Sequence, residues 1–202
     1  MIRYRDGLSA AWDWRFREEK NRMEKLVNEQ PDTIQHLLQE DDNFPNNPLL
    51  PLLLYKNAIN LPDEEGAERI EKIFKQNSWS NSWRDGIYDY HHYHSNTHEV
   101  LGVYSGRCIV QFGGDHGITK ELRAGDVVII PAGVAHKKIA GEHFKCVGAY
   151  PNGMDYNIRR GKPGEKEIMK PEIARVPLPE TDPLFGNDGP LKLYWTTVKE
   201  LA

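Results

Sequence analysis

From Gly86 to Tyr150 the chain runs as a series of short stretches rich in Val, Ile, Tyr and Phe, each interrupted by a turn that contains glycine. The stretches lie near 87–94, 99–104, 107–112, 117–122, 126–130, 134–139 and 143–150. The breaks are Gly106, the run Gly113 to Gly117, Ala124-Gly125-Asp126 and Ala140-Gly141. β-Branched and aromatic segments of this length suit pleated strands, and many of them at this spacing make a sandwich or barrel. With 202 residues, 39% of them hydrophobic, the chain can bury one substantial core but is short for two domains.

Around this β-rich stretch the texture changes. Residues 8 to 28 look helical, with Ser9 as a cap and Leu8, Trp12, Phe16, Met23 and Leu26 roughly on one face. A second short helix is expected after Asp32 and Thr33, carrying Ile34, Leu37 and Leu38. Residues 1–43 therefore read as a helical N-terminal extension. Residues 44–202 read as one barrel domain with an irregular C-terminal tail. The prolines of Phe44 to Ile59 forbid a long helix, and the apolar end of that segment suits a strand. Pro62 to Gln76 reads as an amphipathic helix with Ala67, Ile70 and Ile73 on one side. After Tyr150 the chain is rich in Pro and Gly, and Leu191 to Thr197 is expected to add a last strand.

Charge excludes some function classes. The formal net charge is −4 and no block of Lys or Arg stands out, which argues against a nucleic acid or an anionic membrane as partner. The longest apolar run, Leu49 to Tyr55, contains Pro51 and is too short to span a bilayer. The first residues are charged throughout and lack the apolar core of a signal peptide, while Asp6, Asp13, Glu18 and Glu19 do not suit a transit peptide. Cys108 and Cys146 are not in a CxxC pair and are expected to stay reduced and packed. A cytoplasmic protein is the expectation.

The chemistry lies in the histidines. Seven of the eight fall between residues 91 and 143. His92 and His94 are two apart on an expected strand, so their side chains share one face. Glu99 follows after a short loop, and its carboxylate can join two imidazoles on a divalent ion. His136 comes from a distant strand that barrel closure can bring over the first three. The other reading is a hydrogen-bonded polar cluster without metal. His98 is the rival ligand, although it should face the opposite side of the strand from Glu99. His91 has the wrong parity and is expected to point outward. His116 and His143 are expected to be solvated.

These residues carry a resemblance. Gly86, five residues, His92, one residue, His94, four residues, Glu99, six residues, Gly106 is similar to the first motif of the cupins. Gly125, five residues, Pro131, one residue, Gly133, two residues, His136 is similar to the start of the second. Eighteen residues, Arg107 to Ala124, separate the two. The wider pattern, with FPNNPLLPLLLY before and GAYPNGMDYNIRRGKPGE after, resembles the YjlB-like cupins of bacteria. The resemblance is tight over residues 86 to 136. It implies a mainly β fold, a double-stranded β-helix of jelly-roll type with N-terminal helices here. It also implies one divalent transition metal held by His92, His94, Glu99 and His136. One position departs: the second motif usually ends in Asn four residues past its histidine, where this chain has Ala140.

Nitrogen and oxygen ligands of this kind suit Fe, Mn, Ni, Co, Cu or Zn, and the resemblance favours iron or manganese. The expected function is an enzyme that acts on a small polar organic molecule, by oxygenation or by Lewis-acid isomerisation or decarboxylation. A non-catalytic barrel that binds or senses a small molecule is the alternative. Tyr88 and Tyr90 share the parity of His92 and His94, so they are candidate catalytic residues at the mouth, or else ordinary strand packing. Leu101 and Val103 share the parity of Glu99 and should form an apolar wall. Arg159 and Arg160 could meet a carboxylate or phosphate, or simply lie in a solvated loop. A homodimer is expected, docked through the N-terminal segment and FPNNPLL.

Overall fold

A computed structural model of the chain describes residues 26–62 and 64–199. The expected helix at 8–28 falls almost wholly outside them. The strands are β1 (Asp32–Leu38), β2 (Asn47–Lys56), β3 (Trp79–Asp85), β4 (Glu99–Phe112), β5 (Ile118–Arg123), β6 (Val127–Ile130) and β7 (His136–Pro151). The helices are α1 (Gly66–Gln76), α2 (Glu165–Ile173) and α3 (Pro190–Lys199). All seven strands join one antiparallel sheet in the order β1-β2-β6-β4-β7-β3, with β5 also against β4.

The longest strands organise the sheet. Glu99 to Gly102 of β4 pair with β6, and Arg107 to Phe112 pair with β5. Along its other side β4 pairs with β7, and the register slips at three places. Such slips bend a strand and increase its twist, so a pair this long need not lie flat. Gly106 sits at one of them with φ of 65°, and a Cβ there would come within 2.2 Å of the Glu142 carbonyl oxygen. Gly106 and Ala140-Gly141, expected as breaks between strands, therefore lie inside continuous strands.

The central strands are apolar on both faces. Leu52, Leu54, Leu101, Val103, Val128 and Ile130 pack into the core that also holds Val110, Phe112 and Cys146. Their neighbours Leu53, Tyr55, Val100, Val127 and Ile129 pack into a second core with Ile70, Ile73 and Phe74 of α1 and Leu191 and Trp195 of α3. This double burial explains the unbroken runs PLLLY and VVII, which carry no polar alternation. At Gly102 the helix comes so close that a Cβ would lie 2.7 Å from Ile70 Cγ2.

Three expectations are corrected. Residues 32–38 form a strand, not a helix, because Asp32 to His36 pair in register with Lys56 to Leu52 of β2. The apolar stripe that suggested a helix leaves Leu37 exposed. Residues 191–197 are helical: Leu191 and Trp195, one helical turn apart, are buried, while Leu193 between them is 64% exposed. The rest of the tail is mostly irregular, as expected, apart from α2. Finally, 87–94 is not a regular strand. Only His92 and Tyr93 make isolated bridges, to His136 and Arg159.

Asp182 fastens the tail to the sheet. Tyr55 OH donates to its Oδ2 at 2.7 Å, and the amides of Leu184, Phe185 and Leu191 donate to the same carboxylate. Trp195 Nε1 donates to the Pro51 carbonyl at 2.9 Å. Among the described residues no helix is long and apolar enough to cross a membrane.

Candidate metal centre

Two backbone pairings assemble the site. His92 and His136 exchange main-chain hydrogen bonds, with His92 N donating to His136 O at 3.2 Å and His136 N to His92 O at 2.9 Å. Gly133 N donates to His94 O at 2.8 Å. The loop after β3 is thereby clasped against the turn that opens β7, and Glu99 enters as the first residue of β4. All four side chains are buried. His92, His94 and His136 each offer one nitrogen, and the three nitrogens lie within 4.8 Å of one another.

The far nitrogens of the rings are fixed. Nδ1 of His92 faces the Tyr90 carbonyl at 3.4 Å, and Nδ1 of His136 faces the Val134 carbonyl at 3.2 Å. Nδ1 of His94 meets the Asn157 carbonyl. A carbonyl only accepts, so each Nδ1 carries the proton and each Nε2 keeps its lone pair free. His94 Nε2 and Glu99 Oε2 are buried with no hydrogen-bond partner. They lie 3.4 Å apart, and Glu99 Oε2 is 3.3 Å from His136 Nε2. Buried polar atoms are rarely orphaned. An arrangement of lone pairs aimed at one another is what a bound cation satisfies.

The other carboxylate oxygen is already taken. Tyr150 OH donates to Glu99 Oε1 at 2.9 Å, and Trp83 Nε1 donates to Tyr150 OH at 2.8 Å. This chain holds Oε2 toward the histidines. Burial and the Glu99 charge push the Tyr150 phenol far above its ordinary range, so it remains a donor. Burial raises Glu99, but positive charge placed at the His94 and His136 rings beside it lowers it by more, so the carboxylate favours a cation at this spot. Burial, with repulsion from His136, lowers His92 to about 3 and keeps that ring neutral.

The site opens into a cavity of about 210 Å³, walled in part by Trp83, Ile87, Tyr88, Leu101, Tyr150 and Tyr156. A family model described as Cupin matches residues 88–150. Over 165 residues the chain is 42% identical to an uncharacterized protein, YjlB, of Bacillus subtilis strain 168, covering 81% of this chain and 97% of that one.

The chain belongs to the cupin family.

Among solved structures, this cupin is similar to pumpkin seed globulin, with 24% identity and a TM-score of 0.34 over 44% of this chain and 25% of that one. It is also similar to acireductone dioxygenase from Bacillus anthracis, with 16% identity and a TM-score of 0.33 over 44% of this chain and 60% of that one. The cupin thus spans a quarter of the globulin and less than two thirds of the dioxygenase. These likenesses concern the fold alone.

The remaining candidates are distributed around the site. His98 does not join the three histidines: its Nδ1 accepts the Ala132 amide at 2.9 Å and its ring packs 4.7 Å from Trp195. His91 does not point into solvent as expected. It is largely covered, 5.1 Å from the Phe44 ring and 3.4 Å from an Asp115 oxygen. His116 is exposed and paired with Asp41 at 3.0 Å, and His143 is exposed on β7. Tyr88 lines the cavity, with its ring 5.0 Å from that of His92. Tyr90 is not part of the cavity wall. It stacks on Tyr88 at 4.9 Å and carries the Arg160 guanidinium over its ring at 4.0 Å. Arg159 is tied into the backbone bridge with Tyr93.

Tyr150, Tyr156, Trp83 and Asn157 were not singled out from sequence. Tyr150 carried no clear signal, because the register slips between β4 and β7 spoil a parity count from His136. Asn157 acts through its main-chain carbonyl, which no residue type announces. Its side chain adds a clamp: Oδ1 accepts from Ser95 N at 2.9 Å, and Nδ2 donates to Ser95 Oγ at 2.8 Å. Removing the Tyr150 hydroxyl should release the Glu99 carboxylate. Tyr150→Phe is expected to lower metal affinity by about 10-fold while leaving the fold intact, measured by competition with a chromophoric chelator. An affinity equal to wild type would show that Glu99 needs no such hold.

Proposed function

We propose that this cupin is a metal-dependent enzyme acting on a small organic molecule, with a divalent transition ion held by His92, His94, His136 and Glu99. The observation that carries the reading is the pair of orphaned buried atoms, His94 Nε2 and Glu99 Oε2, converging with two further imidazoles beside a cavity. Three imidazoles and one carboxylate suit Fe, Mn, Ni, Co, Cu or Zn, and the resemblance to other cupins favours iron or manganese. When bound, such an ion supplies Lewis acidity toward an oxygen of the substrate or, as iron, reactivity toward O₂. The protein's part is to keep Nε2 of each ring unprotonated, to aim Glu99 Oε2 through Tyr150 and Trp83, and to enclose the reacting molecule between apolar walls. Oxygenation, or isomerisation or decarboxylation, are the reaction types this supports.

The test is reconstitution followed by assay. Iron-loaded protein screened against small enols, aromatic alcohols and organic acids should consume O₂ with one class. Manganese-loaded protein should turn over a substrate without O₂ if the Lewis-acid route is used. A loaded protein that binds such molecules yet converts none under either condition would reduce the reading to a binding module.

Assembly and location belong to the proposal as well. β1 is an edge strand with Leu37 51% exposed, and Leu49 on β2 is 54% exposed, which supports a homodimer across this side. Sedimentation should give twice the 23.3 kDa chain mass, and a monomer mass would contradict it. Cys108 and Cys146 are free and buried, which fits a reducing compartment such as the cytoplasm.

A further inference from the structure

Rings wall the cavity above the histidines. Trp83, Tyr88, Tyr150 and Tyr156 line it together with Ile87 and Leu101. Two of the four remain substantially in water: Tyr88 is 47% exposed and Tyr156 is 41% exposed. Each stands edge-on to a different site histidine. Tyr88 is 5.0 Å from His92 at 81°, and Tyr156 is 5.2 Å from His94 at 70°. Each is also backed by a stacked neighbour. Tyr88 lies on Tyr90 at 17°, and Tyr156 lies on Tyr150 at 4.5 Å and 21°. The ring faces are therefore held in place before any ligand arrives, which lowers the ordering cost of binding. Aromatic surface left in water beside a buried polar site is the kind of surface a ligand covers.

Charge narrows the class. Among the described residues Arg84 is the one Arg or Lys that lines the cavity, and Glu71 grips it at two points, 2.8 and 2.6 Å. Asp85 receives the Gly86 amide at 2.8 Å and Lys145 at 3.3 Å. Arg160 lies on the Tyr90 ring. Among the described residues the wall thus presents aromatic rings and aliphatic groups around the site histidines and Glu99, with no unpaired guanidinium or ammonium lining it to anchor a carboxylate. A volume of about 210 Å³ suits one ring with few substituents.

We propose that the site takes a flat single-ring molecule, aromatic or enolic and uncharged, whose oxygen-bearing edge meets the metal site while its faces lie against Tyr88 and Tyr156. This rests on the metal reading above and adds the substrate class to it.

The experiment titrates manganese-loaded protein by calorimetry with catechol, a neutral ring with two adjacent oxygens, and with malonate, an acyclic anion with two reachable oxygens. Metal content is measured in every variant. Catechol binding should weaken about 10-fold in Tyr88→Ala and in Tyr156→Ala, the size of a lost ring contact. It should return to wild type in Tyr88→Phe and Tyr156→Phe, which keep the ring and lose only the hydroxyl. Malonate binding should change by less than about 2-fold across the series, because no ring face holds it. Should Tyr156→Ala fold poorly, Tyr88→Ala carries the test. Catechol binding that ignores both alanine changes would overturn the inference and leave the metal site standing. So would phenylalanine variants as weak as the alanine ones, which would make the hydroxyl the anchor. A wild-type protein that takes up no metal would overturn both readings.

Discussion

His94→Ala should strip the protein of metal, whereas His98→Ala should keep the metal and lose stability. The two residues are four apart in the same histidine-rich run and each has a buried Nε2 without a hydrogen-bond partner, yet only His94 groups with His92 and His136 and faces Glu99. His94 has its Nδ1 committed to the Asn157 carbonyl and its buried Nε2 committed to nothing, 3.4 Å from Glu99 Oε2. Removing that ring deletes a ligand, and affinity should fall by at least about 100-fold, beyond the 10- to 100-fold typical of losing a supporting residue. His98 instead accepts the buried Ala132 amide and packs on Trp195. Its removal leaves a buried donor unpaired and opens a cavity beside a large ring, at a cost of about 2–4 kcal/mol. Metal analysis of both variants, with unfolding followed in the presence of chelator so that bound metal does not mask the difference, separates the two effects. Metal lost from His98→Ala and kept by His94→Ala would mean that the ligand register is wrong.

The second large effect concerns Asp182. Its carboxylate accepts four hydrogen bonds: Tyr55 OH and Leu191 N on Oδ2, and Leu184 N and Phe185 N on Oδ1. It is fully buried. Burial raises its pKa, but the donors around it offset the charge that burial penalises. Asparagine cannot substitute, since its amide would aim donors at two of the four N–H or O–H groups. Asp182→Asn should therefore cost about 3–4 kcal/mol, and the melting temperature of a chain this size should fall by roughly 10 °C. Tyr55→Phe removes one donor only and should cost about 1 kcal/mol. A melting temperature unchanged in Asp182→Asn would mean that the tail is held by the Trp195 and Leu191 packing alone.

Short β-branched and aromatic stretches, with the glycine turns at Gly113 to Gly117 and Ala124-Gly125-Asp126, located the β domain even though β4 and β6 bury both faces and carry no alternation there. The site histidines were legible through the resemblance of the motif spacings rather than through strand parity, because 87–94 is not a regular strand; the His92–His136 bridge helps bring the rings together. Residues 32–38 failed because a short apolar stripe fits both periods, and only the partner strand β2 decides between them. Residues 191–197 failed because Leu191, Leu193 and Trp195 alternate as in a strand, while burial follows the helical turn. The supports of the site were the least legible. Trp83 and Tyr150 act on Glu99 across 16 and 51 positions of chain, and Asn157 acts through its backbone. Contacts of that kind depend on tertiary geometry that no local pattern encodes.

The most direct measurement is elemental analysis of the full chain purified without chelator or nickel resin, wild type beside His136→Ala. The site described here predicts a near-stoichiometric transition metal in the wild type, iron or manganese foremost, and little in the variant. A wild-type protein with no metal, even after anaerobic reconstitution with each candidate ion, would contradict it and leave the histidine cluster as a hydrogen-bonded element of the barrel.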